Sequence, residues 1–193
     1  MYALYKATQY IVESNIPGDM VECGVWKGGS SMLCALTLKA LEEMQRNIYM
    51  YDTYSGMTQP TEKDIDFKGA KAIDKWKDFN KWCAIPLEKV RETMYSTGYP
   101  TKHIQFIKGK VEDTIPGIMP EKIALLRLDT DWYESTYHGL LHLYPRLSPG
   151  GILIIDDYGH FKGAREAVDK YITENNIKIL LNRIDYTGRI GIA

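Results

Sequence analysis

A chain of 193 residues, 45% hydrophobic and 25% charged, has the length and balance of one globular domain (1–193), which excludes a fibrous or disordered chain. With 24 basic and 25 acidic side chains the net charge is −1, so no nucleic-acid or anionic-membrane partner is expected. No apolar run reaches the roughly 18–20 residues that cross a bilayer, and Cys23, Cys34 and Cys83 lack CxxC spacing, which points to reduced packing thiols in a cytoplasmic setting.

In chain order, residues 2–14 carry a helical apolar pattern with Lys6 and Glu13 inside it, so 1–17 reads as an N-terminal helical segment and not a signal-peptide core. "DMVECGV" (19–25) is a first strand, 30–46 a helix, and "IYMYDTY" (48–54) a second strand. The polar, Gly- and Pro-containing stretch 55–82 is too long for a routine connection and reads as a lid or insertion, with Trp76 and Trp82 either closing over a site or anchoring it. Helices are predicted at 86–97, 134–146 and 163–175, and strands at 103–109, 123–129 and 151–157. Strands at 177–185 and 189–193, joined through Tyr186, Thr187 and Gly188, should form an antiparallel hairpin. Alternating strands and helices imply an α/β fold with a mostly parallel sheet covered on both faces. Such a sheet binds its ligands beyond the carboxyl ends of its strands.

Chemistry is therefore sought at the strand ends. In "ECGVWKGGSS" (22–31), Gly24, Gly28 and Gly29 permit close backbone approach to a ligand at the next helix's N-terminus. The loop is neither a Walker motif nor GxGxxG, and Glu22 before it suits a cationic ligand. Asp52 ends the second strand, where related sheets hold a ribose hydroxyl or the acid merely orders a turn. Glu112 in "KGKVEDT" either caps the next helix or meets an adenine amino group. Asp129 ends the fourth strand, and Asp131 beyond it is a helix cap or a functional acid. Asp156 and Asp157 end the fifth. Arg127, which alternates to the same face as Asp129, is the structural alternative to a cation, whether or not it reaches the rim. Asp129, Asp156 and Asp157 thus converge without an evident basic partner, which asks for a hard cation, Mg²⁺ or Ca²⁺. His138 and His142 read as packing or surface residues, while His160 lies on the rim.

Together "VECGVWKGGSS", "YDTYSGM", "GKVEDT", "LRLDTDWYEST" and "IDDYGHFKGAREAVDKY" resemble the TylF/MycF-type, macrocin O-methyltransferase-like family, from about residue 10 to 190. The resemblance implies a Rossmann-like methyltransferase fold with seven strands in the order 3-2-1-4-5-7-6, the seventh antiparallel. It implies S-adenosylmethionine held by Glu22, Gly24, Gly28, Ser30, Ser31, Asp52 and Glu112. It places Mg²⁺ on Asp129, Asp156 and Asp157, with Asp129 also the general base. The expected reaction is O-methylation of a sugar or other vicinal-diol acceptor. A catechol acceptor, a non-catalytic cofactor-binding module and a nicotinamide oxidoreductase are the alternatives. The family's antibiotic-tailoring members carry extra N-terminal segments that help cover the substrate and support dimer contacts, and a homodimer is compatible with the resemblance.

Overall fold

The computed structural model describes residues 1–193, the side chain of Phe79 excepted. Seven strands form one sheet in the order β3-β2-β1-β4-β5-β7-β6, as the resemblance implies. The strands are β1 (Asp19–Cys23), β2 (Ile48–Asp52), β3 (Ile104–Lys108), β4 (Ile123–Leu128), β5 (Leu147–Ile155), β6 (Asn182–Arg183) and β7 (Arg189–Ile192). β1 to β5 pair in parallel, and β7 runs antiparallel to both β5 and β6.

Side-chain alternation sorts two cores across the sheet. On one face Met20, Ile48, Met50 and Ile154 pack under α1 (Tyr2–Glu13), α2 (Gly29–Ala40) and α4 (Leu87–Tyr95). On the other, Val21, Tyr51, Leu126 and Leu153 pack under α5 (Val111–Thr114), α6 (Tyr133–Leu143) and α7 (Lys162–Glu174). Each fully buried Leu or Ile contributes roughly 1.5–3 kcal/mol. Strands buried on both faces explain the near-continuous apolar runs of β4 and β5.

Two elements depart from expectation. The run 177–185 pairs only at Asn182–Arg183, opposite Ile190 and Arg189 of β7; Ile177, Ile179 and Leu181 instead pack on the core without ladder partners. The insertion 55–82 carries a helix, α3 (Trp76–Cys83), and is tied down rather than loose. Asp64 in it is fully buried and accepts a hydrogen bond from the backbone N–H of Tyr133 at 2.8 Å, so it caps α6 from a distance in sequence. Asp66 bridges to Phe161, and Trp76 packs with Met57 against Trp132 and Phe161. No helix among the described residues is long and apolar enough to cross a membrane.

Candidate active site

A single cavity of about 770 Å³ opens over the carboxyl ends of β1, β2, β4 and β5. That volume is within the range of sites that enclose a cofactor-sized ligand. Its first wall is the turn after β1. Gly24 has φ 85°, and a Cβ there would lie 1.9 Å from the carbonyl oxygen of Asp129, so no other residue fits. The β1–β4 ladder continues through this contact, with the Asp129 N–H donating to Cys23 O at 2.8 Å. Asp52 fastens the same turn. One carboxylate oxygen accepts from the N–H groups of Val25 (2.7 Å) and Trp26 (3.0 Å), and the other from that of Tyr54 (2.7 Å).

Of the residues expected around a cofactor, Glu22, Gly24, Ser30, Asp52 and Glu112 line the cavity. Gly28 and Ser31 do not: Gly28 is the left-handed N-cap of α2, packed near Val90, and the buried Ser31 hydroxyl donates to Glu22. Glu112 does not cap α5; its Oε2 atom is buried and has no hydrogen-bond partner. Glu112 lines the cavity, and a buried carboxylate oxygen that lacks a partner is one that a ligand N–H donor would satisfy. The glycine turn and this acceptor together suit a nucleoside-bearing cofactor.

The second half of the site is a cluster of acids. Asp129, Asp156 and Asp157 each offer an oxygen, all within 4.8 Å of one another. Arg127 does reach the rim. It is the register partner of Glu22 on β1 and of Ile154 on β5, on the face where Asp129 and Asp156 follow two residues later. Its Nη1 donates to Glu22 Oε1 (2.7 Å) and to Asp129 Oδ2 (2.6 Å), and its Nη2 to Asp156 Oδ1 (2.9 Å). Alternation gave the side correctly; the length of the guanidinium stem supplies the reach.

One guanidinium does not neutralise five carboxylates. Burial first, and repulsion from neighbouring acids second, hold Asp129 and Asp157 well above the usual carboxylate range and push Asp131 up to about 7. Burial also raises Glu22 against the pull of Arg127. Asp131 is not the cap of α6, which Asp64 supplies; it stands in a left-handed conformation (φ 63°) among the acids that line the cavity. Residual negative charge on oxygen-only donors fits a hard divalent cation.

Aromatic side chains frame the opening. Trp26 and Trp82 line it with ring centroids 4.5 Å apart, and Trp82 is 62% exposed. Opposite in sequence, His160 Nδ1 meets the Tyr186 hydroxyl at 2.9 Å, and burial lowers the imidazole pKa. Trp76, by contrast, is an anchor of the insertion, its Nε1 donating to Met57 O. His138 bonds Ile115 O and lies 4.5 Å from the tilted ring of His142, away from the cavity, as expected of packing residues.

Residues 1–190 match the family described as Macrocin-O-methyltransferase (TylF). The chain belongs to the TylF family. It is 38% identical over 184 residues to the 8-demethyl-8-(2,3-dimethoxy-alpha-L-rhamnosyl)-tetracenomycin-C 4'-O-methyltransferase of Streptomyces olivaceus, spanning 93% of this chain and 69% of that protein. It is 34% identical over 186 residues to the mycinamicin III 3''-O-methyltransferase of Micromonospora griseorubida, over 93% of this chain and 72% of that one. The solved structure of the O-methyltransferase NovP superposes with a TM-score of 0.90 at 30% identity, covering 99% of this chain and 78% of the other. This TylF-family chain is therefore an O-methyltransferase, and neither a non-catalytic module nor a nicotinamide oxidoreductase.

Proposed function

We propose that the chain methylates a hydroxyl of a glycoside, drawing the methyl group from S-adenosylmethionine and using Mg²⁺ held by Asp129, Asp156 and Asp157. The observation that carries this reading is the placement of a three-carboxylate cluster in the same cavity as the glycine turn and the unpartnered Glu112. The names of the relatives, one acting on a rhamnosyl group, support a sugar acceptor. Bound together, the two cofactors supply an electrophilic methyl group and positive charge that favours ionisation of a hydroxyl.

The chain's own work is alignment and proton acceptance. Gly24, Ser30, Asp52 and Glu112 hold the donor, with Glu22 acting through Ser31 and Arg127. Asp129 is the proton acceptor that the sequence suggests. Asp131 is the second candidate, because no cation bonds its carboxylate while Asp129 is bonded by Arg127. Residues 55–82 cover the opening, with Trp82 facing the acceptor. Turnover of a glycoside panel with radiolabelled donor tests the reading: S-adenosylhomocysteine should form, and EDTA or Asp129→Ala should abolish it. Full turnover by a metal-stripped, chelated sample would overturn the metal assignment. Loss in Asp131→Asn with survival in Asp129→Asn would move the base to Asp131.

A further inference from the structure

We infer that Arg127 is a positioning residue that makes the acid cluster select a small octahedral cation over Ca²⁺. The inference rests on the metal assignment proposed above, and concerns how this chain presents its ligands. The Arg127 fork binds Oδ2 of Asp129 and Oδ1 of Asp156 at 2.6 and 2.9 Å, and Glu22 holds the fork from the β1 side at 2.7 Å. An oxygen already bonded to the positive fork is the weaker metal donor, although it keeps a second lone pair, so Oδ1 of Asp129 and Oδ2 of Asp156 are the favoured metal donors. The fork thereby disfavours two-oxygen ligation by either carboxylate. Mg²⁺ and Mn²⁺ accept six such ligands in a compact shell, whereas Ca²⁺ favours six to eight oxygens and readily takes both oxygens of one carboxylate. A lysine at this position would keep the positive charge but lack the planar fork, so it cannot hold both aspartates in that way.

The geometry also explains why an arginine is tolerated inside a cation site. Burial opposes its charge, but Asp129, Glu22 and Asp156 outweigh that penalty and keep it protonated. Their remaining negative charge, with that of Asp131 and Asp157, is what a divalent ion would meet.

Calorimetric titration of the full chain with Mn²⁺ alone and Ca²⁺ alone, in the wild type and in Arg127→Lys, tests the inference without reading activity. The wild type should bind Mn²⁺ more tightly than Ca²⁺. In Arg127→Lys that preference should shrink by about tenfold, the lower end of the effect expected from disturbing a group that orients metal ligands. A merely structural role would weaken both ions alike, so an unchanged ratio in a folded variant overturns the inference and leaves the metal assignment standing. A wild type that binds neither ion overturns both. If Arg127→Lys does not fold, the pair Glu22→Gln with Arg127→Met removes fork and counter-charge together and must lower the same ratio.

Discussion

Glu112 illustrates how a single atom separates a ligand contact from a structural one. A buried acceptor without a partner destabilises the fold by about 1–3 kcal/mol, and that deficit is relieved when a donor arrives. Glu112→Ala should therefore raise the dissociation constant for S-adenosylhomocysteine about tenfold while leaving the thermal midpoint unchanged or higher, a pairing that calorimetry and thermal melts can check. A structural acid would lower the midpoint instead. The sequence left this residue divided between a cap and an adenine partner, since both roles place a carboxylate in the first turn of a helix. Asp129, Asp156 and Asp157 were legible because strand ends in a parallel sheet share one rim. Arg127 was only half legible: period-two alternation assigns a face, but says nothing of how far a long side chain extends along it.

At the scale of elements, the connection 55–82 was legible as more than a loop, yet its fastening was not. Asp64 accepts from the Tyr133 N–H, 69 positions away, and no local pattern announces such a cap. It also accepts from the N–H and hydroxyl of Thr61 at 2.7 and 3.0 Å, so one carboxylate joins the insertion to α6. Asp64→Ala should destabilise the chain by about 1–2 kcal/mol, as loss of a helix cap does. Hydrogen exchange should then quicken in residues 61–72 and the first turn of α6 before it does in β4. Uniform acceleration across the sheet would mean that the insertion is not a separable unit. The hairpin shows the opposite limitation: its apolar pattern was read as nine strand residues, but Ile177, Ile179 and Leu181 owe that pattern to packing on the core, and only Asn182 and Arg183 pair with β7.

For the whole molecule the acid cluster sets a pH dependence whose sign follows from the direction of the shifts. Asp131, raised to about 7, and Asp129 and Asp157, raised by burial and mutual repulsion, bind protons more tightly in the folded chain than in the unfolded one. The contribution of Asp131 is complete below the ordinary carboxylate pKa of about 4 and is lost as pH rises through about 7, and those of Asp129 and Asp157 are lost in the same direction as pH rises. The divalent cation proposed for this cluster would offset that loss by binding the ionised form. The rise in thermal midpoint produced by saturating Mn²⁺ should thus be larger near pH 8 than near pH 5.5, where protons compete for the same oxygens. An equal rise at both values would show that the ion does not bind these acids. The fold that brings them together was legible in order and direction, because the strand–helix alternation and the family resemblance agree; the imbalance of charge became visible only once Asp131 and Glu22 were seen to share the cavity.

The contact between Gly24 and the Asp129 carbonyl has a thermodynamic consequence. It leaves the turn proposed to hold the methyl donor and Asp129, the proposed metal ligand, no room to shift independently, since the two are joined by backbone across neighbouring strands. Ordering one orders the other, so the two ligands should bind with positive cooperativity. Linkage then requires reciprocity: whatever factor Mn²⁺ gains from bound S-adenosylhomocysteine, S-adenosylhomocysteine must gain from bound Mn²⁺. Titrating each in the presence and absence of the other should return one shared factor greater than unity, and a factor of one would mean that the turn and the acid cluster are ordered separately.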